Sequence, residues 1–177
     1  VSEGARLDCG LVSGDMATDG SGSEAVLDYP YILVVDAKID LAMDLMPVLD
    51  LVAPTGNPLL IIADMIEGEA VRTLIRNNLR GTIKSVAVVA PEYGERRSRV
   101  LEDLALLTGG MPIAADLGLS LQTVQLAHLG RLVDDGPAEL DAVRARVECQ
   151  VGLRAVVRQR AILSDRSRRV VEPVGAR

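Results

Sequence analysis

Three short apolar runs constrain this chain more than anything else in it: YILVV at 31–35, LLIIA at 59–63 and IKSVAVVA at 83–90. Each is continuous rather than alternating, the pattern of a strand that buries both faces inside a parallel sheet. Segments of helical periodicity separate them. One spans 41–52, with Asp40 placed to cap it and Pro54 and Gly56 to stop it; the next spans 68–79 and ends at Gly81; a third spans 95–107 and closes at Gly109 and Gly110. MPIAA at 111–115 reads as a fourth strand, with Pro112 near its start where a missing amide is tolerated. Strands alternating with helices in this way place the chain in the α/β class, with a layered core and a substantially parallel sheet.

The two ends read differently. TDGSGSE at 18–24 is a run of turn formers with nothing to bury and is expected to be an exposed loop. DDGP at 134–137 is a hinge-like turn, 138–161 carries a helical pattern, and Ser164 restarts a shorter, arginine-rich helix. The expected organisation is one α/β unit over 1–133 and a C-terminal helical extension over 134–177.

Composition narrows the function. A chain of 177 residues, 49% of them hydrophobic, can build one full core, and with three tyrosines and no Phe or Trp that core is aliphatic. Stacking platforms for bases are missing, and a net charge of −6 opposes phosphate neutralisation, so nucleic acid is not an expected partner. The arginines at 144, 146, 154, 158, 160, 166, 168 and 169 read as a solvated helix face. Cys9 and Cys149 have no Cys or His neighbour, so no zinc site or disulfide framework is indicated, and a cytoplasmic setting fits. No apolar run reaches 18 residues, and no signal pattern opens the chain. Starting at Val1 rather than Met, it reads as a segment of something longer.

In α/β sheets ligands gather at the carboxyl ends of strands, so Asp36, Asp64 and Asp116 are candidate ligands for Mg²⁺ and a phosphoryl group, with Lys38 or Lys84 beside them. The competing role is the ordinary one of an Asp that caps a turn, and no paired-carboxylate motif singles out a metal. GSGSE at 20–24 lacks the spacing of a phosphate-binding loop, and the lone His128 has no nucleophile beside it.

Apolar surface is in excess. On a wheel of about 100° per residue, Leu41, Ala42, Leu45, Met46, Val48, Leu49 and Val52 spread over an arc of roughly 160°, with Met43 and Leu51 beyond it. Ala70, Val71, Leu74, Ile75 and Leu79 cover about half of the next helix. Two neighbouring helices with spare apolar flanks form a groove for varied partners, or else lie beneath a further layer.

PYILVVDAKI, MPVL, GNPLLIIA, EGEA, LRG, APEYGERR and LTGG follow one another in an order that closely resembles the apical domain of group I chaperonins, the Hsp60/GroEL-type folding machines. The likeness runs from about Gly4 to Gly130. It implies an α/β apical domain, here 1–133, that holds non-native polypeptides and a co-chaperonin's mobile loop between two helices and an extended segment. By motif position, the polypeptide-binding residues it implies are Leu11 and Met16 in the extended segment, Met46 and Leu49 in the first helix, and Val71 and Ile75 in the second. The 134–177 tail resembles part of the helical intermediate domain.

The chain also departs from that family. Arg76 and Asp15 stand where the family has an aliphatic and an aromatic residue, and the region after LAHLGRLV is shorter. The family's equatorial domain, with its Gly-Asp-Gly-Thr-Thr phosphate loop, is not in this sequence. No ATPase and no bound cofactor are therefore expected of these residues, although full-length relatives use ATP and Mg²⁺. Ring assembly resides chiefly in the equatorial domain, so the chain alone is expected to be monomeric. The alternatives are a degenerate scaffold without client binding, and a Mg²⁺-dependent phosphoryl site at Asp36 and Asp64.

Overall fold

The computed structural model describes residues 6–7, 10–18, 24–131, 144–148 and 154–158. Two short strands, β1 (Arg6–Leu7) and β2 (Gly10–Leu11), precede β3 (Glu24–Asp28) and β4 (Tyr31–Ile39). Helix α1 (Ala42–Val52), β5 (Leu59–Ile66), α2 (Gly68–Arg80), β6 (Ser85–Val89) and α3 (Glu95–Leu107) follow in strict alternation, and β7 (Gly130–Arg131), β8 (Arg144–Glu148) and β9 (Arg154–Arg158) complete the described elements.

The three apolar runs become β4, β5 and β6, which pair in parallel at the centre of a five-stranded sheet of order β2-β6-β5-β4-β7. Short β2 and β7 pair antiparallel at its two edges. Successive side chains point to opposite faces, so the strands feed two cores. Leu33, Val35, Leu59, Ile61, Ala63 and Ala87 meet Leu45, Val48, Leu49 and Val52 of α1 and Ala70 and Leu74 of α2. On the other face Ile32, Val34, Leu60, Ile62, Val86 and Val88 meet Leu101, Leu104 and Ala105 of α3, together with Ala25 and Leu27 of β3. The α/β class and the layered core follow from this arrangement.

Two expectations are corrected. The 111–115 segment is not a strand but a single parallel bridge between Val35 and Ile113, flanked by hydrogen bonds from Ile113 N to Val34 O and from Asp36 N to Ile113 O. Pro112 has no amide to extend the ladder, and the chain turns into a 3-10 turn at Ala115–Leu117. At the N-terminal end, β2 and β3 are strands additional to the elements expected from periodicity; most of the glycine-rich 18–24 run, expected to be a loop, lies outside the described residues. The helical pattern over 138–161 also fails where it can be read: β8 and β9 are antiparallel partners in a four-stranded sheet of order β1-β9-β8-β3. Arg144-Ala145-Arg146-Val147-Glu148 alternates polar and apolar residues, which is the period of a strand, and Val156 and Val157 favour extended backbone. The helix expected from Ser164 lies outside the described residues.

The LTGG block sits where the end of α3 crosses the start of β7. Arg131 N donates to Thr108 O at 2.7 Å, and Met111 N to His128 O at 2.9 Å. The backbones approach so closely that a Cβ on Gly130 would lie 2.1 Å from Thr108 Oγ1, and one on Gly110 would lie 2.5 Å from Gly130 N. Gly130→Ala is therefore expected to lower stability by about 1–3 kcal/mol through overpacking. Urea unfolding reads the loss, and a change below about 0.5 kcal/mol would mean the junction opens without cost.

Candidate functional site

Helices α1 and α2 lie side by side on one face of the sheet, because each directly follows a strand of a parallel pair. Local chemistry at their ends differs from the sequence expectation. Asp40 does not cap α1 with its carboxylate; Leu41 holds the capping position, with no side-chain hydrogen bond. The backbone oxygen of Asp40 instead accepts from the amides of Glu69 at 3.0 Å and Ala70 at 3.1 Å, satisfying the first turn of α2. Gly68 makes that approach possible: its φ is +62°, and a Cβ there would stand 3.3 Å from the same oxygen. The EGEA block is thus a strand-to-helix corner.

Pro47 lies inside α1 and has no amide to give the carbonyl of Met43. The side-chain amide of Gln122 donates to that carbonyl at 3.3 Å. At the other end of α2, Asn78 forms a two-way clasp with the first residue of β6: its Nδ2 donates to Ser85 O, and Ser85 N donates to its Oδ1, both at 2.7 Å. Neither Gln122 nor Asn78 was singled out in the sequence, because one meets a backbone group 79 residues away and the other bonds across a turn to the start of the next strand.

The six residues implied for polypeptide binding separate into three groups. Met46 is 45% exposed on α1, and Val71 and Ile75 are half-buried on α2, packed against the edge of the core. Leu49 and Met16 lie inside that core, 4% and 2% exposed. Met16 closes a 3-10 turn at Gly14–Met16 that contacts α2, and its Sδ accepts from Ala87 N at 3.4 Å. Leu11 packs against the opposite core, the one beneath α3. Gly10–Leu11 runs extended at the sheet edge before the 3-10 turn, with Val12 N donating to Ala87 O, and Leu11, Val12 and Met16 pack against the cores. The surface part of the site therefore comprises Met46, Val71 and Ile75, extended by Met43 at 73% exposure and Leu79 at 83%.

Arg72, Arg76 and Arg80 recur every fourth residue on α2 and are all exposed. Among the described residues none of them is in an ion pair. This row stands about 100° round the helix from the row Val71, Ile75, Leu79, and Arg72 and Arg76 neighbour Ile75 and Leu79 three residues on. Arg76, which replaces an aliphatic residue by motif position, is thus on the outer face and buries no charge.

The strand-end carboxylates serve a different purpose from the one considered above. Asp36 and Asp64 are brought together by β4 and β5, and Arg97 from the first turn of α3 lies between them: Nε is 3.2 Å from Asp36 Oδ1, and Nη1 is 2.5 Å from Asp64 Oδ1. Ser98 Oγ donates to Asp36 Oδ2 at 2.5 Å. A guanidinium shared between the two carboxylates offsets their mutual repulsion, and these contacts tie α3 to the sheet. Lys38 pairs with Glu67 and Asp40 instead, and the hydrogen bond and charge of Glu67 raise its pKa. Lys84 sits just before β6, at the opposite end of the sheet, and donates to Val26 O at 3.3 Å. Asp116 is exposed on the 3-10 turn, and the ring of half-buried His128 accepts from Gln125 N at 3.2 Å. Among the described residues no three His, Cys, Asp or Glu side chains gather as a ligand set. No helix among them is long and apolar enough to cross a membrane. No family model matches the chain.

Two expected outcomes follow from these placements. Leu49→Glu should unfold the protein, since an unpaired buried carboxylate costs several kcal/mol, whereas Met46→Glu should leave far-UV circular dichroism and the thermal midpoint nearly unchanged. Equal tolerance of both would show that Leu49 is not a core residue. Arg97→Ala should cost about 1–3 kcal/mol, between the values for exposed and buried ion pairs, because the three side chains are 17–32% exposed. A denaturant midpoint unmoved by that substitution would show the ion triad to be idle.

Proposed function

We propose that this chain is a polypeptide-binding domain of the group I chaperonin apical type, which captures non-native proteins on the outer faces of α1 and α2. The observation that carries the reading is the row of apolar side chains left uncovered there: Met43, Met46 and Leu79 are 73%, 45% and 83% exposed, beside half-buried Val71 and Ile75. A folded protein presents few such groups to an unfolded chain, and each square ångström of apolar area removed from water stabilises the complex by about 25 cal/mol. Methionine suits the task, since its flexible thioether adapts to differently shaped partners.

The order of the chaperonin-like sequence blocks supports the same reading, because the two helices that resemblance points to both carry exposed apolar side chains. The binding set is narrower than the motif positions imply: Met46, Val71 and Ile75 make contact, Leu49 and Met16 hold the surface in shape from beneath, and Leu11 belongs to the core on the other face of the sheet. The same groove would take the mobile loop of a co-chaperonin. Repetition of the domain around a ring would multiply weak contacts into firm capture. The chain supplies recognition and no chemical step; in a full-length relative, ATP hydrolysis belongs to the equatorial domain.

Reduced, carboxymethylated α-lactalbumin, which stays unfolded in native buffer, provides the test. The wild-type chain should bind it, and Ile75→Glu combined with Val71→Glu should weaken binding at least tenfold with circular dichroism unchanged. Undiminished binding by the well-folded double variant, or none by the wild type, would refute the proposal.

A further inference from the structure

The uncovered face of α2 carries more than apolar groups. Arg72, Arg76 and Arg80 stand about 100° round the helix from Val71, Ile75 and Leu79, with Arg72 and Arg76 neighbouring Ile75 and Leu79 at i,i+3, so an apolar stripe and a basic stripe run along adjoining flanks of the same helix. The arginine row is locally unfavourable, since Arg72 and Arg76, and again Arg76 and Arg80, are like charges four residues apart. Glu69, one turn before Arg72, makes no ion pair with it, and among the described residues no other carboxylate is paired with the row. This concentration of positive charge stands on a chain whose net charge is −6.

We infer that the α2 face selects acidic amphipathic polypeptide segments, with apolar side chains seated on Val71, Ile75 and Leu79 and Asp or Glu side chains paired with Arg72, Arg76 and Arg80. The inference rests on the capture reading above and names the class of client. A segment with carboxylates beside its apolar residues meets both stripes at once, and guanidinium groups bind carboxylates through two parallel hydrogen bonds. A basic segment would bring its charges against the row and be repelled. Nucleic acid fits less well: it would leave the apolar stripe in water, and the tyrosines Tyr29, Tyr31 and Tyr93 are the only aromatic side chains in the sequence to stack a base.

The test uses two fluorescein-labelled peptides of equal length with the same Leu, Ile and Val anchors. One carries Glu between the anchors and the other carries Lys. Fluorescence anisotropy with the wild-type chain should give about tenfold tighter binding of the Glu peptide at low ionic strength, the sum of three modest charge pairs. The preference should shrink as salt rises toward about 0.5 M. Arg72→Gln, Arg76→Gln and Arg80→Gln together should abolish the preference while the Lys peptide still binds, and Arg76→Gln alone should reduce it; all three positions are exposed, and circular dichroism checks that the helix persists. Equal binding of both peptides, lost in Ile75→Glu, would overturn the charge selection and leave the capture reading in place. Binding of neither would overturn both. Tighter binding of a single-stranded oligonucleotide than of the Glu peptide would overturn the inference in favour of a phosphate-binding surface.

Discussion

Ile61 and Ile62 are neighbours on β5, and they sink into opposite cores with 0% and 2% exposure. The rest of the architecture depends on that double burial. A parallel sheet whose central strands are apolar on both faces must be covered on both, and here α1 and α2 cover one while α3 and β3 cover the other. Each helix then has a definite inner stripe, and whatever apolar surface it carries beyond that stripe stays in water. On α3 the inner stripe is Leu101, Leu104 and Ala105; on α2 it is Ala70 and Leu74, with Val71 and Ile75 partly buried at its margin.

Polar chemistry in this structure is spent on the scaffold. Asp36, Asp64, Arg97 and Ser98 lock α3 to the carboxyl ends of β4 and β5, Asn78 clasps the start of β6, and Gln122 meets the carbonyl that Pro47 leaves without an amide. In each case a side chain satisfies a charge or backbone group that folding would otherwise strand. The arginines of α2 are not used in this way; they are exposed and outside any ion pair among the described residues. There uncommitted charge stands on the same helix as apolar side chains that the packing of the described fold leaves at the surface.

Much of the central fold was legible because it rests on local signals. Continuous apolar runs became β4, β5 and β6, and α3 begins and ends at the residues that Gly94 and the Gly109-Gly110 pair suggested. The misreadings have a common origin in signals that are local but weak. MPIAA has strand composition, yet Pro112 and the neighbouring turn leave it a single bridge; RARVE alternates over only five residues, too few to outweigh a longer helical pattern until β3 is there to pair with it. The candidate site was half legible for a similar reason. A helical wheel finds the apolar arc but not where the sheet cuts it, so Met46 and Leu49 looked equivalent until packing placed one outside and one in the core.

By itself, the sequence determined the class of fold, the order of its central elements and the presence of more apolar helix surface than one sheet contact requires, since periodicity and composition act residue by residue along the chain. Only the tertiary structure decided which of those apolar groups remain exposed, that Asp36 and Asp64 hold an arginine between them, and that the arginine row of α2 lies on the outer face beside Ile75. Burial and charge pairing are set by which distant segments meet, and that is a property of the packed chain rather than of any stretch within it.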